Sequence, residues 1–168
     1  MLATLVTVRY LSKHSEDPRF KEAAEKIYRS LRRVATSEGL LPTLLNVATG
    51  EGKGSSYSAG AYADSYYEYL LKVWIQGGKK DEVGVRWCDD GQSIRKAYVE
   101  GVEGITRRLM KRGGGGLLFV GEQQGIGPVT QEMGHLTCFI GGMLALGVFH
   151  GANPKTAERD MANAKALA

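Results

Sequence analysis

Ala63-Asp64-Ser65-Tyr66-Tyr67-Glu68-Tyr69-Leu70-Leu71-Lys72 is the stretch that decides how this chain is read. Apolar or aromatic side chains recur at Ala63, Tyr66, Tyr67, Leu70, Leu71 and Trp74. That is the i, i+3, i+4 spacing of one helical face. The stretch is therefore expected to be an amphipathic helix with a carboxylate, Asp64, at its start. Two readings of that carboxylate stand side by side. An Asp at a helix start commonly caps it, because its oxygens accept free backbone N–H groups and its charge complements the positive helix end. An acid beside aromatic faces also suits a sugar-handling site, with rings for sugar C–H groups and an oxygen to accept hydroxyl protons. The residues alone leave both open. Tyr66, Tyr67 and Trp74 read mainly as core.

Outward from this helix the pattern stays helical. Leu2 to Leu11 reads as the stub of a helix. Asp17-Pro18 opens a clearer one, with Pro suited to the first helical position. Its apolar face is Phe20, Ala23, Ala24, Ile27, Leu31 and Val34, and Gly39 is expected to end it. Leu40 to Tyr57 reads as extended chain around a turn-rich Asn46–Gly54 segment, hence a small β-hairpin. The Asp64 helix should stop at Gly77-Gly78. Asp89 or Asp90 is the expected cap of a following helix with a face of Ile94, Ala97, Tyr98, Gly101, Val102 and Ile105, broken by Gly113 to Gly116. That glycine run reads as a surface turn, since no Gly-Lys-Ser/Thr follows to make a phosphate cradle. Leu117 to Val120 is a strand candidate. Met133 to Phe149 is expected to form one deeply buried apolar helix, and Asn153-Pro154 to cap a last helix reaching Ala168.

The 168 residues suffice for one domain with a core. A net charge of +4 is spread among acids, and the densest basic group, Arg29, Arg32 and Arg33, reads as a solvated helix face. No nucleic-acid partner is expected. No apolar run reaches transmembrane length. The first residues lack the basic region, apolar stretch and cleavage site of a signal peptide. Cys88 and Cys138 are the only cysteines. A bridge between them satisfies the count, but sequence does not supply its geometry.

Two long motifs in register carry a resemblance. Gly60-Ala61-Tyr62-Ala63-Asp64-Ser65-Tyr66-Tyr67-Glu68-Tyr69-Leu70-Leu71-Lys72-Val73-Trp74 is the first. Met133-Gly134-His135-Leu136-Thr137-Cys138-Phe139-Ile140-Gly141-Gly142-Met143-Leu144-Ala145-Leu146-Gly147 is the second, and Phe119-Val120-Gly121-Glu122 lies between them. Together they resemble class I α-mannosidases, glycoside hydrolase family 47, in order and spacing from about Leu11 to the end. The resemblance implies an all-α fold built as an (α/α)7 barrel. This chain would supply a partial arc of two to three helix pairs with short β-hairpin elements, residues 1–168 forming one partial domain truncated at both ends. An open arc of that kind should expose apolar faces.

The resemblance also implies the chemistry. The family trims α-1,2-linked mannose from high-mannose N-glycans of glycoproteins in the endoplasmic reticulum or Golgi, reaching the membrane through an N-terminal anchor that this chain lacks. It inverts, with a Ca²⁺ cofactor at the barrel floor. Asp64 matches the family's active-site Asp and is the expected catalytic residue. His135, Tyr62, Glu122 and Glu68 are the expected substrate-binding residues, although a salt bridge is the simpler role for Glu68. No metal ligand is expected within the chain, since the calcium-contacting Thr would lie beyond Ala168. Cys138 matches a family cysteine whose disulfide partner lies outside the chain. The remaining family carboxylates have no counterpart here, so the isolated chain is expected to be inactive.

Some positions depart from the family pattern. Tyr62 stands where endoplasmic-reticulum members carry an Arg that helps choose the mannose branch, and Tyr offers no guanidinium fork. Gly134 replaces an Asp, Gly141 a Pro, and Thr7 stands where an acid is usual. These departures keep an alternative open: a mannosidase-like, glycan-binding factor in glycoprotein degradation with little catalysis. The least specific reading is a helical interaction module with no sugar role.

Overall fold

A computed structural model describes residues 3–80 and 93–168. Six α-helices appear among them. α1 is Ala3–Ser15 and α2 is Pro18–Val34. α3 is Asp64–Gln76 and α4 is Ile94–Gly104. α5 is Phe139–Phe149 and α6 is Ala157–Leu167. They pack as consecutive pairs, α1 with α2, α3 with α4 and α5 with α6, while α3 also touches α1 on one side and α5 on the other. Three helical hairpins thus stand side by side, with α1, α3 and α5 forming the connected layer. The number of pairs agrees with the two to three expected from sequence. Among the described residues no single helix is long and apolar enough to cross a membrane.

The centre is the aromatic helix. Tyr66, Tyr67, Leu70, Leu71 and Trp74 are all buried, as the spacing predicts, and Val73 is buried as well. Leu40, Ile105, Leu109, Val120, Ile140 and Leu144 close around them. The Tyr67 hydroxyl accepts the Leu41 N–H at 3.0 Å, so α3 also anchors the chain that follows α2. Burial pushes the Tyr67 hydroxyl well above its ordinary pKa and keeps it neutral.

Four expectations are corrected. First, α2 starts as predicted, with Asp17 accepting the Arg19 N–H at 3.0 Å and Pro18 in its first turn, but Phe20, Ala23 and Ile27 are exposed. The buried face is Ala24, Glu25 and Tyr28. The helix is rotated because its polar side chains find partners in the seams: Arg9 of α1 meets Glu25 at 3.1 Å, and Arg32 pairs with Glu100 of α4. Second, α2 ends at Val34, not at Gly39. Gly39 has φ +79°, and a Cβ there would stand 2.4 Å from the Glu100 carbonyl carbon. Glycine serves a crossing of the chain over α4, a conformation and an approach that a side chain would forbid.

Third, the cap of α4 is Ser93, whose hydroxyl accepts the Lys96 N–H at 3.1 Å. Asp89 and Asp90 lie outside the described residues, as does Cys88. After α4 the chain passes through a π-turn, Ile105–Leu109, into a strand. That strand, β1 (Met110–Arg112), pairs antiparallel with β2 (Leu118–Val120), Met110 facing Val120. The glycine run forms the exposed turn between them. Fourth, Met133 to Phe149 is not one buried helix. A 3₁₀ turn, His135–Cys138, precedes α5. Leu136, Gly142, Leu146 and Phe149 are exposed, because no element among the described residues covers them.

The last helix also differs in detail. Asn153 makes no side-chain capping bond; Pro154–Thr156 is a 3₁₀ turn and α6 follows it. The hairpin expected from Leu40 to Tyr57 is present only as isolated antiparallel bridges, Pro42 with Tyr57 and Leu45 with Gly52. Pro42 has no N–H to extend a ladder.

Candidate functional site

Three segments meet at Gly60. The loop Ser58–Ala63 turns into α3, and the Gly60 carbonyl accepts the Asp64 N–H at 2.8 Å and the Ala63 N–H at 3.1 Å. The His135–Cys138 turn presses on the same point: a Cβ built on Gly60 would stand 2.6 Å from Thr137 Oγ1. Glu122 reaches it from the chain after β2, its Oε1 3.6 Å from that position. Only glycine allows this approach. The helix start, the Glu122 segment and the histidine turn therefore share one site, although they lie far apart in sequence.

The polar groups at this junction are ordered. Ser58 donates its hydroxyl proton to Glu122 Oε1 at 2.9 Å, and its oxygen accepts the Gly60 N–H at 2.9 Å. The Glu122 N–H is taken by Thr130 Oγ1 at 3.0 Å. Thr137 is 1% exposed, and its hydroxyl has no hydrogen-bond partner among the described residues. Such a buried orphan is costly and is retained mostly where strain or function requires it.

Asp64 is half-buried in the first turn of α3. Its Oδ1 accepts the Ser65 N–H at 2.7 Å, so the carboxylate does serve the helix start. Among the described residues Oδ2 has no hydrogen-bond partner, which leaves one oxygen for a ligand or water. Tyr62, two residues earlier, has φ +75° and is 84% exposed. A tyrosine in the left-handed region is strained by about 1–2 kcal/mol. Its ring edges an open groove with about 250 Å³ of free space, lined also by Leu44, Tyr57, Ser58, Glu122 and Gln124. His135 is exposed on its turn.

Glu68 is not part of this junction. It lies one turn further along α3, bonds Lys72 of its own helix, and edges a separate apolar groove with Phe139 and Met143. Glu68 does form a salt bridge, but the expected one would hold neighbouring helices and this one lies within α3. Cys138 is a free, exposed thiol. Sequence reasoning passed over Ser58 and Thr137. Both are small polar residues, Ser58 just before the first motif and Thr137 within the second, and neither gives a periodic signal. Among the described residues no group of three or more His, Cys, Asp or Glu side chains converges as a metal site.

The arc of helical hairpins defines the fold class, an α/α toroid. The profile of glycosyl hydrolase family 47 matches residues 2–168, and the chain belongs to that family. The human endoplasmic reticulum mannosyl-oligosaccharide 1,2-alpha-mannosidase is 39% identical over 146 residues, covering 85% of this chain and 19% of the relative. The mannosyl-oligosaccharide 1,2-alpha-mannosidase MNS3 of Arabidopsis thaliana is 34% identical, covering 90% and 24%. The human mannosyl-oligosaccharide 1,2-alpha-mannosidase IB is 37% identical, covering 82% and 20%. The solved structure of an alpha-1,2-mannosidase from Trichoderma reesei superposes with a TM-score of 0.70 at 22% identity, covering 94% of this chain and 30% of that one. The fold is therefore an arc of the (α/α)7 barrel. The chain spans about a fifth to a quarter of the length of these curated relatives.

Proposed function

We propose that this chain forms part of the active site of an inverting α-1,2-mannosidase that trims high-mannose N-glycans in the lumen of the secretory pathway. The observation that carries this reading is the meeting of Asp64, Glu122 and the His135 turn at Gly60, in a family whose relatives are named as 1,2-alpha-mannosidases. In this reading Asp64 takes the catalytic role. Its free Oδ2 accepts a proton from, or orients, a water at the scissile bond, while Oδ1 stays tied to the helix start. Inversion needs a second carboxyl far enough away to admit that water. Glu122, held by Ser58, accepts sugar hydroxyl protons. The Tyr62 ring offers a face to sugar C–H groups in the position where the resemblance gives endoplasmic-reticulum members an Arg. His135 contacts the sugar from the facing turn.

Ca²⁺ is proposed as a cofactor of the whole catalytic domain. It takes six to eight oxygen ligands, and this chain's described donor set does not provide such a cage. No step is derived through it. Because the chain spans so little of its relatives, the 168 residues alone are proposed to release no mannose. Cys138 is proposed to bond a cysteine outside the chain.

The test is the anomer released. Incubation of the intact protein with the methyl α-glycoside of an α-1,2-linked mannobiose, followed by proton NMR, should show β-mannose first. Initial α-mannose would contradict inversion. Binding without release would favour the second reading, a glycan-binding factor, which the exposed Tyr62 and the absence of an acid at Gly134 support.

A further inference from the structure

We propose that Arg108 is the positioning residue of the glycan groove, locking together the two segments that present Ser58 and Glu122. This rests on the mannosidase reading for its substrate, but its geometry is independent of that reading. Arg108 lies in the π-turn Ile105–Leu109, where the Met110 N–H reaches back to the Ile105 carbonyl. Such single wide turns recur at functional sites because they re-aim side chains that a regular helix would direct elsewhere.

The guanidinium has three partners from three segments. Its Nε donates to Gln123 Oε1 at 2.6 Å, and its Nη1 donates to Glu38 Oε2 at 3.0 Å. Its carbon stands 5.2 Å from the centroid of the Tyr57 ring, within the range of a cation–π contact. Tyr57 and Gln123 are themselves paired through reciprocal backbone bonds of 2.8 and 2.9 Å. Arg108 therefore clamps both sides of that bridge. The next residue on one side is Ser58, and the preceding residue on the other is Glu122; their side chains meet at 2.9 Å. Both ends of the buried Gln123 amide are bonded, since its Nε2 donates to the Gly127 carbonyl at 3.1 Å. Its carbonyl oxygen thus stays turned toward Arg108.

A lysine supplies charge but not the planar fork that serves Gln123 and Glu38 together while stacking on a ring. Arg108→Met removes all three interactions while keeping much of the stem. The expected result in the intact protein is amide exchange at Tyr57 and Gln123 about tenfold faster, with α3 and α5 amides unchanged. KM for an α-1,2-linked mannobiose should rise about tenfold with kcat within about twofold, because a loosened groove binds less well while Asp64 is untouched. Arg108→Lys should fall between. Unchanged exchange at Tyr57 and Gln123 would overturn the proposal. So would faster exchange with an unchanged KM, since the clamp would then be structural only. If the wild-type protein turns over no mannoside, the mannosidase reading fails, and the exchange result alone decides whether Arg108 holds the bridge.

Discussion

A methyl group on Gly60 would come to rest 2.6 Å from the hydroxyl oxygen of Thr137. The contact joins the loop that ends in Asp64 to the turn that carries His135, and it makes the two positions interdependent. Gly60→Ala should cost about 1–3 kcal/mol through overpacking. In Thr137→Ala the colliding oxygen is gone, so the double variant should recover about 1 kcal/mol or more of that loss. Urea denaturation of the four proteins in the cycle gives the coupling. Purely additive costs would mean that the two segments do not abut.

Tyr67 contributes through its hydroxyl as well as its ring. Tyr67→Phe leaves the buried Leu41 N–H without its 3.0 Å acceptor. The expected destabilisation is about 1–3 kcal/mol, the cost of a buried unsatisfied donor. Thermal unfolding measures it; an unchanged midpoint would show that Leu41 finds another partner.

At Tyr62 stability and recognition oppose each other. The residue is held at φ +75° with its ring in solvent. Tyr62→Gly should relieve about 1 kcal/mol of backbone strain and raise the melting temperature. The same change should weaken binding of high-mannose glycan, whereas Tyr62→Phe should retain it. Calorimetry on the three proteins separates the two effects. A glycine variant that is less stable, or that binds equally well, would contradict the account.

Glu103 gives the arc an acid-sensitive link. Arg159 donates to Glu103 at 2.7 Å, and chiefly for that reason the carboxyl titrates below its ordinary 4.5. A depressed carboxylate contributes stability that is present above its unfolded pKa and lost as pH falls through the folded one. Glu103→Gln should therefore flatten the decline in stability below pH 4.5. At neutral pH it should cost only about 0.5 kcal/mol, because the side chain is more than a third exposed to screening solvent. Denaturation midpoints measured from pH 7 down to pH 3 check this. Parallel curves for the two proteins would contradict it.

Helix α3 was legible although α1, α4 and α5 all pack against it, because its apolar side chains keep helical spacing. The Asp64 helix gave its bounds and its buried face directly, since aromatic spacing and Gly77 both follow from local chemistry. α2 was legible only in part: Ala24, Leu31 and Val34 do pack against the core, but Phe20, Ala23 and Ile27 face solvent, and ion pairs with Arg9 and Glu100 set the helix's rotation. The 3₁₀ turn at His135–Cys138 was hidden in an apolar run that holds no proline. Asp64, Glu122 and His135 were named from motifs, and the fold brings their three segments to Gly60. What sequence could not give was the glue between them. Ser58, Thr137 and Arg108 act through contacts across long sequence separations, which no local pattern encodes.

The central claim is that Asp64 does chemistry and not merely helix capping. The direct measurement is the initial rate of mannose release from an α-1,2-linked mannobiose by the intact protein and its Asp64→Asn variant. Asparagine keeps an oxygen for the Ser65 N–H, so the melting temperature should hold while the rate falls by about 10²–10⁴-fold, the share of a general acid or base. Equal rates in the two proteins would contradict the account.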